Sequence, residues 1–215
     1  MDSLSASQVK AIIVEIATRV LEARDQLNDM DSACGDGDFG TSMWISFTSA
    51  RKQLDELPIS DIGTIMLGVG HAILSSAGGA AGPIFGSFFI EAGYVAKGKD
   101  EVRLVDLAGM FDASLKKIKQ QGGAKVGDKT VVDALEPAVS ALKEDVIGNT
   151  ALAQGLRNAA RAARIGCEST KGIVARHGKA RYLGEQSLGY VDPGAHVIAI
   201  IFDEFAISLP HETRL

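Results

Sequence analysis

Residues Ile62–Ile90 read IGTIMLGVGHAILSSAGGAAGPIFGSFFI, without a single Asp, Glu, Lys or Arg. An uncharged run of this length is long enough to cross a bilayer as one helix, so its reading decides the fold class. Its composition argues against the span. Seven glycines are spread along it, and its centre is Gly78-Gly79-Ala80-Ala81-Gly82-Pro83. Paired glycines followed by a proline break a helix in two. The stretch is therefore expected to form two buried helices, Asp61–Ala77 and Pro83–Lys97, that meet at a glycine-rich turn inside a soluble protein.

Outward from this run, apolar residues recur at three- and four-residue spacing. Val9, Ile12, Ile13, Ile16, Val20 and Leu21 form one stripe and predict a helix over Ala6–Gln26. Further helices are expected at Thr41–Leu54, Leu104–Gln121, Asp128–Lys143, Ala151–Thr170 and Pro193–Leu209. Asp128 suits a cap, Pro83 and Pro193 suit first turns, and Gly78-Gly79, Gly98 and Gly122-Gly123 suit stops. No hairpin signal occurs. Val197–Phe202 alone is strand-like, and its flanking spacing favours a buried helix. Eight helices with short links imply an all-α antiparallel bundle or helical barrel, built as one domain over residues 1–215.

The net charge of −5 argues against a nucleic-acid partner held by phosphate contacts. Two cysteines, Cys34 and Cys167, make no disulfide framework, so a reducing cytoplasm is the expected location. The first residues are polar and amphipathic, unlike a signal peptide.

The densest chemistry lies in Leu27–Met43, LNDMDSACGDGDFGTSM. Asp31, Asp36 and Asp38 fall within eight positions, and no Lys or Arg occurs from Asp25 to Ala50. Crowded carboxylates repel unless a counter-charge is present, and a hard divalent cation prefers oxygen ligands. Gly35, Gly37 and Gly40 permit a tight turn, and helix-compatible sequence resumes at Thr41, where a helix N-terminus would attract anions. Carboxylates, glycines and a helix start together suggest a Mg²⁺–phosphate site, set against an ordinary capped, solvated loop. An EF-hand is excluded: its twelfth position requires Glu, and counting from Asp31 or Asp36 gives Ser42 or Phe47.

Two glycine-rich segments add to this. Gly122–Thr130 is nearly a P-loop, but an extra residue separates Gly127 from Lys129, and amphipathic helix precedes it where a P-loop needs a strand. It is read as a helix junction, either a plain capped turn or one that touches a ligand. Gly178–Ala195, GKARYLGEQSLGYVDPGA, is a long loop carrying Lys179 and Arg181, which suit phosphate oxygens. None of His71, His177, His196 and His211 stands in a nucleophile motif, and no catalytic side chain is assigned. His71 and His196 are expected in the core, His177 and His211 in solvent, and Cys34 as a small buried thiol. Trp44 and Phe47 are expected to pack at the start of the second helix.

Four stretches taken in order resemble one family: LNDMDSACGDGDFGTSM, LSSAGGAAGPIFGSFF (Leu74–Phe89), GDKTVVDALEP (Gly127–Pro137) and KARYLGEQSLGYVDPGA (Lys179–Ala195). The chain is similar along nearly its whole length to the ADP/ATP-binding L subunit of two-component dihydroxyacetone kinases, also found as the C-terminal domain of one-chain dihydroxyacetone kinases. The resemblance implies an antiparallel barrel of eight helices with nucleotide held by loops at one end. It implies that Asp31, Asp36 and Asp38 bind two Mg²⁺ ions bridging the phosphates of ADP or ATP. Nucleotide contacts are implied at Phe39, Gly40, Thr41 and Ser42, at Ala80 and Ala81, and at Gly122. They continue at Thr130, Val131, Lys179, Asp192, Pro193 and Gly194. The triose is implied to sit on a partner K-type subunit, bound covalently to a histidine that this chain does not supply.

The chain departs from the family pattern at three places. Phe39 stands where His is usual, Ala81 where Ser is usual, and Lys179 where Arg is common; Lys cannot reproduce a bidentate fork. The implied reaction is phosphoryl transfer to a small ketose, with a related triose or tetrose also open. The donor is ATP or, for bound ADP recharged in place, a phosphotransferase-system protein. Two other classes stay open: a nucleotide-sensing module that binds a transcription factor, and a metal-binding helical protein without nucleotide. No membrane partner is expected.

Overall fold

A computed structural model of the chain describes residues 2–59, 61–76 and 81–208. Among these residues nine α-helices follow one another: α1 (Ala6–Glu22), α2 (Arg24–Ser32), α3 (Phe39–Glu56), α4 (Ile62–Ser76), α5 (Ala81–Val95), α6 (Leu104–Gly122), α7 (Val132–Ile147), α8 (Leu152–Ser169) and α9 (Pro193–Ile207). Two-residue strands β1 (Leu4–Ser5) and β2 (Glu101–Val102) pair antiparallel, and 3₁₀ turns occupy Thr170–Gly172 and Lys179–Ser187. α1 packs on α3, each helix from α3 to α8 packs on the next, and α9 returns to α1. This closes a ring, with α2 laid along α3. Phe47, Phe88, Phe89, Phe111, Phe202 and Phe205 fill the interior, where Phe111 contacts Phe88, Phe202 and Phe205.

The uncharged run forms α4 and α5, and its glycines explain how two such helices lie together. Gly70 faces Gly86 and Gly63 faces Gly93; a methyl group on any of the four would fall 2.6–2.9 Å from its nearest neighbour on the facing helix. Missing side chains let the backbones approach, and the apolar faces are buried against the ring instead of lipid. No described helix is long and apolar enough to cross a membrane. The turn expected at Gly78-Gly79, and the expectations for Ala80 and His211, fall outside the described residues.

The expected first helix is two. Ala6–Gln26 breaks at Ala23 (φ −78°, ψ 2°), and α2 follows as a separate helix. Its sequence hides it: only Leu27 of Arg24–Ser32 is buried, so no apolar stripe announces it. What holds α2 is Gly40, whose absent side chain leaves room for the Arg24 carbonyl; a methyl group there would sit 2.0 Å from that oxygen. Asn28 then bonds Thr41 twice, accepting its N–H at 3.0 Å and donating to its hydroxyl at 3.2 Å.

Other boundaries move for local reasons. The helix expected from Asp128 starts at Val132, because the Asp128 carboxylate accepts the Lys125 N–H (2.9 Å) and closes the preceding turn. α3 starts at Phe39, two residues before Thr41. The Lys179–Ser187 segment coils into 3₁₀ turns interrupted at Gly184 (φ 54°, ψ −127°). Phe47 is buried as expected, but Trp44 is 42% exposed, with the Arg24 guanidinium 5.9 Å from its ring centre. His71 is exposed on α4, contrary to expectation, while His196 is partly buried and its pKa is lowered by that burial.

The connections segregate by end. The N-terminus, the α3–α4 link and the α5–α6 link meet at one end, where the Ala6 N–H donates to the Asp100 carbonyl and the Ile62 N–H to the Lys99 carbonyl, both 2.8 Å. The α2–α3, α6–α7 and α8–α9 connections meet at the other.

Candidate functional site

At this second end Asp31, Asp36 and Asp38 each offer a carboxylate oxygen, all within 4.8 Å of one another. Asp31 is on the last turn of α2, not in the loop, and its Oδ2 accepts the N–H groups of Asp38 (3.1 Å) and Phe39 (3.3 Å). Two glycines make that fold-back possible. A methyl group at Gly35 would strike the Asp31 carboxylate at 2.3 Å, and Gly37 has φ +74°. The three acids therefore gather because α2 ends where it does and Gly35 and Gly37 let the intervening loop fold back.

The donor set suits a hard cation: three carboxylates, with no thiol or imidazole among them. Cys34, although adjacent in sequence, is buried and its Sγ points at the Ser187 carbonyl (3.8 Å). The chain also brings a counter-charge that its local sequence lacks. Lys179 donates to Asp36, and this bond holds the Asp36 carboxyl below its ordinary pKa and raises that of Lys179.

Most of the N–H groups that open α3 are already engaged. Those of Asp38 and Phe39 go to Asp31, that of Thr41 to Asn28, and that of Ser42 to the Asp38 carbonyl (2.9 Å). The sequence had suggested this helix start as a phosphate cradle; in the structure it chiefly fixes the acids.

The other sequence-chosen residues lie at or near this end. Ala81 begins α5 and is buried; Gly122 ends α6 with open space around it. Thr130 and Val131 close the α6–α7 turn, whose shape is set by buried Asp133: it accepts the Gly127 N–H at 2.6 Å and the Thr130 N–H at 2.7 Å. Asp192 caps α9 by accepting the Ala195 N–H (2.7 Å), Pro193 opens that helix, and buried Gly194 lies against Val131. Burial, with Asp133 and Asp31 nearby, pushes Asp192 up to about 7 against the opposing pull of the Ala195 N–H and Lys129. His177, expected in solvent, lies 3.4 Å from the buried Asp128 carboxylate, which Arg176 also faces at 3.6 Å.

Sequence reasoning missed Asn28, Asp133, Ser187 and the role of Lys129. Asp133 was readable, since Thr130-Val-Val-Asp133 has the spacing of a capping box. Ser187, which accepts the Ala175 N–H at 2.9 Å and donates to the Gly184 carbonyl at 2.6 Å, ties the glycine-rich segment to itself and gives no sequence signal. A groove of about 420 Å³ between α8 and α9, lined by Arg157, Arg161 and Arg164, lies toward the opposite end of those helices.

Residues 33–207 match the DAK2 domain family. The chain is 36% identical over 186 residues to the ADP-binding subunit DhaL of PEP-dependent dihydroxyacetone kinase 2 from Listeria innocua, covering 86% of each. It is 32% identical over 206 residues to the corresponding DhaL subunit of Escherichia coli, covering 96% of this chain and 98% of that one. Its fold is also similar to the crystal structure of the C. freundii dihydroxyacetone kinase in complex with AMP-PNP and Mg²⁺, with a TM-score of 0.74 and 27% identity. That match covers 97% of this chain but 35% of the larger kinase. With its four sequence stretches, its helical ring and these relatives in agreement, the chain belongs to the DAK2 domain family and, within it, to the DhaL group of dihydroxyacetone kinase subunits.

Proposed function

We propose that this chain is the nucleotide-carrying, phosphoryl-donating subunit of a dihydroxyacetone-type kinase. The observation that carries the reading is the set of three carboxylates within 4.8 Å, held where the α2–α3, α6–α7 and α8–α9 connections converge. The comparison with a kinase whose structure contains AMP-PNP and Mg²⁺ supports it.

In this reading Asp31, Asp36 and Asp38 hold two Mg²⁺ ions. Such ions, when bound, neutralise charge on the nucleotide phosphates and align the transferring group. The residues of this chain do the rest. Asp31 is fixed by two N–H donors before any cation arrives, so one ligand of the three is preorganised. Lys179 leaves Asp36 and turns its ammonium to phosphate oxygens. Phe39–Ser42, Ala80, Ala81, Gly122, Thr130, Val131 and Asp192–Gly194 surround the nucleotide. In this reading the base for the acceptor hydroxyl, and the acceptor ketose itself, belong to a K-type partner. The donor is ATP, or a phosphotransferase-system protein that recharges resident ADP.

The test is the nucleotide content of the purified chain, with and without EDTA, by denaturation and chromatography. Stoichiometric ADP released only by EDTA supports resident coenzyme. An empty chain that binds Mg-ATP reversibly supports an ATP-exchanging subunit. No binding in either state sinks the proposal.

A further inference from the structure

Lys129, which the nucleotide-site reading leaves without a task, is an internal cation with unusual surroundings. It is 4% exposed, and its backbone sits in the left-handed region (φ 60°), which a side chain with a Cβ adopts only under constraint. That backbone turn sends the side chain inward. Its ammonium donates to the carbonyl of Thr170 at 2.7 Å and also to the carbonyl of Tyr190.

These two acceptors bracket the α8–α9 connection. Thr170 follows the last residue of α8, and Tyr190 precedes the Asp192 cap of α9. Between them lie Lys179 and the 3₁₀ turns. Secondary ties run parallel: the Gly189 N–H donates to the Lys171 carbonyl (2.8 Å), the Asp192 N–H to the Thr170 hydroxyl (2.9 Å), and the Arg176 N–H to the Asp128 carbonyl (3.1 Å). Among the described residues, Lys129 is the one side chain with hydrogen bonds from the α6–α7 turn to both ends of the connection. An ammonium has three donors and no acceptor, which fits a point where carbonyls converge. Burial lowers its pKa, while the neighbouring Cys34, Asp192 and Asp133 oppose that shift.

We infer that Lys129 is a positioning residue: it pins both ends of the α8–α9 segment to the α6–α7 turn and so sets where Lys179 and Asp192–Gly194 stand relative to Asp31, Asp36 and Asp38. The inference rests on the nucleotide-site reading for its purpose, but not for its geometry. A lysine in this place acts through the segment it holds, so its loss loosens the segment before it affects chemistry.

The experiment uses the full chain, parent against K129M, which keeps an unbranched stem of similar length and removes the donors. Hydrogen exchange of residues 171–192 in the nucleotide-free chain is expected to be at least tenfold faster in K129M, with α4 and α5 unchanged. Mg-ADP release is expected to be at least tenfold faster, and K129R to stay within threefold of the parent, because it restores donors. Parent-like exchange over 171–192 in K129M overturns the inference, as does exchange in K129R that equals that of K129M. If K129M does not fold, K129Q, which keeps one donor group, carries the same comparison with an intermediate effect expected. A parent that binds no nucleotide refutes the proposed function instead, and the exchange measurement still decides the role of Lys129.

Discussion

The two ends of the helical ring use aspartate in opposite ways. At the far end each well-placed carboxylate has donors of its own. Asp61 accepts the Thr64 N–H (3.1 Å), the Thr64 hydroxyl (2.5 Å) and the Gly98 N–H (2.9 Å), and these hydrogen bonds, the Thr64 hydroxyl foremost, hold its pKa down. Asp106 is pushed up by burial, yet the Arg103 N–H and Lys99 outweigh that and leave it lowered. At the candidate site Asp31 has two N–H donors and Asp36 has Lys179, yet with Asp38 they crowd three carboxylates within 4.8 Å, and Asp192 is pushed up to about 7. Carboxylates given donors stabilise a fold. Carboxylates gathered at one point offer several oxygen ligands that a hard cation can share.

The largest effect expected from this contrast comes from D36N. Removing one charge from the cluster should weaken Mg-ADP binding by at least about a hundredfold, the scale of losing a charged ligand, while thermal stability stays near that of the parent because the Lys179 pair is solvent-exposed. Calorimetric titration of the EDTA-treated chain measures it. Parent-like affinity would remove the cluster from the site.

G40A comes next and tests whether the acids depend on helix packing. A methyl group 2.0 Å from the Arg24 carbonyl and 2.8 Å from Asn28 meets backbone that cannot simply rotate away. Overpacking of this kind costs about 1–3 kcal/mol, and because α2 carries Asp31 nucleotide affinity should fall as well. Denaturant unfolding and the same titration read both losses. At the far end D61A should cost about 1 kcal/mol, as for other helix caps, with nucleotide affinity unchanged. A joint loss there would mean that the ends are coupled and would blur the comparison.

How much of this was legible follows the range of each interaction. The buried pair α4–α5 was readable because glycine, proline and the lack of charge are local facts. So was the acidic cluster, three residues within eight positions of sequence, although Asp31 lies on the last turn of α2. The break at Ala23 was not, because α2 is held by the bare backbone of Gly40 and by Asn28, neither of which leaves a periodic pattern. The strands Leu4–Ser5 and Glu101–Val102 are too short and too far apart in sequence to signal each other. Lys179 was chosen for phosphate, but its pairing with Asp36 joins positions that only the fold brings together. Lys129 was read as part of a failed P-loop; its inward turn depends on a backbone angle that sequence does not display.

The smallest effect is the sharpest in sign. Asp192 has a folded pKa of about 7 against an ordinary 3.8, so between those values the folded chain binds more protons than the unfolded chain. Stability therefore falls as pH rises through that window. D192N carries no charge at any pH and retains an oxygen for the Ala195 N–H. In EDTA it should unfold at a higher temperature than the parent at pH 8, with the gap shrinking toward pH 4. Asp61 is lowered, so its contribution is present above the ordinary value of 3.8 and is lost as pH falls through the folded pKa. D61N should thus be less stable than the parent at pH 8 and approach it near pH 3. Two isosteric changes of aspartate to asparagine, one at each end, are expected to shift the melting temperature in opposite directions at pH 8. Shifts of the same sign would mean that Lys129 already compensates Asp192, and that the two ends treat their acids alike.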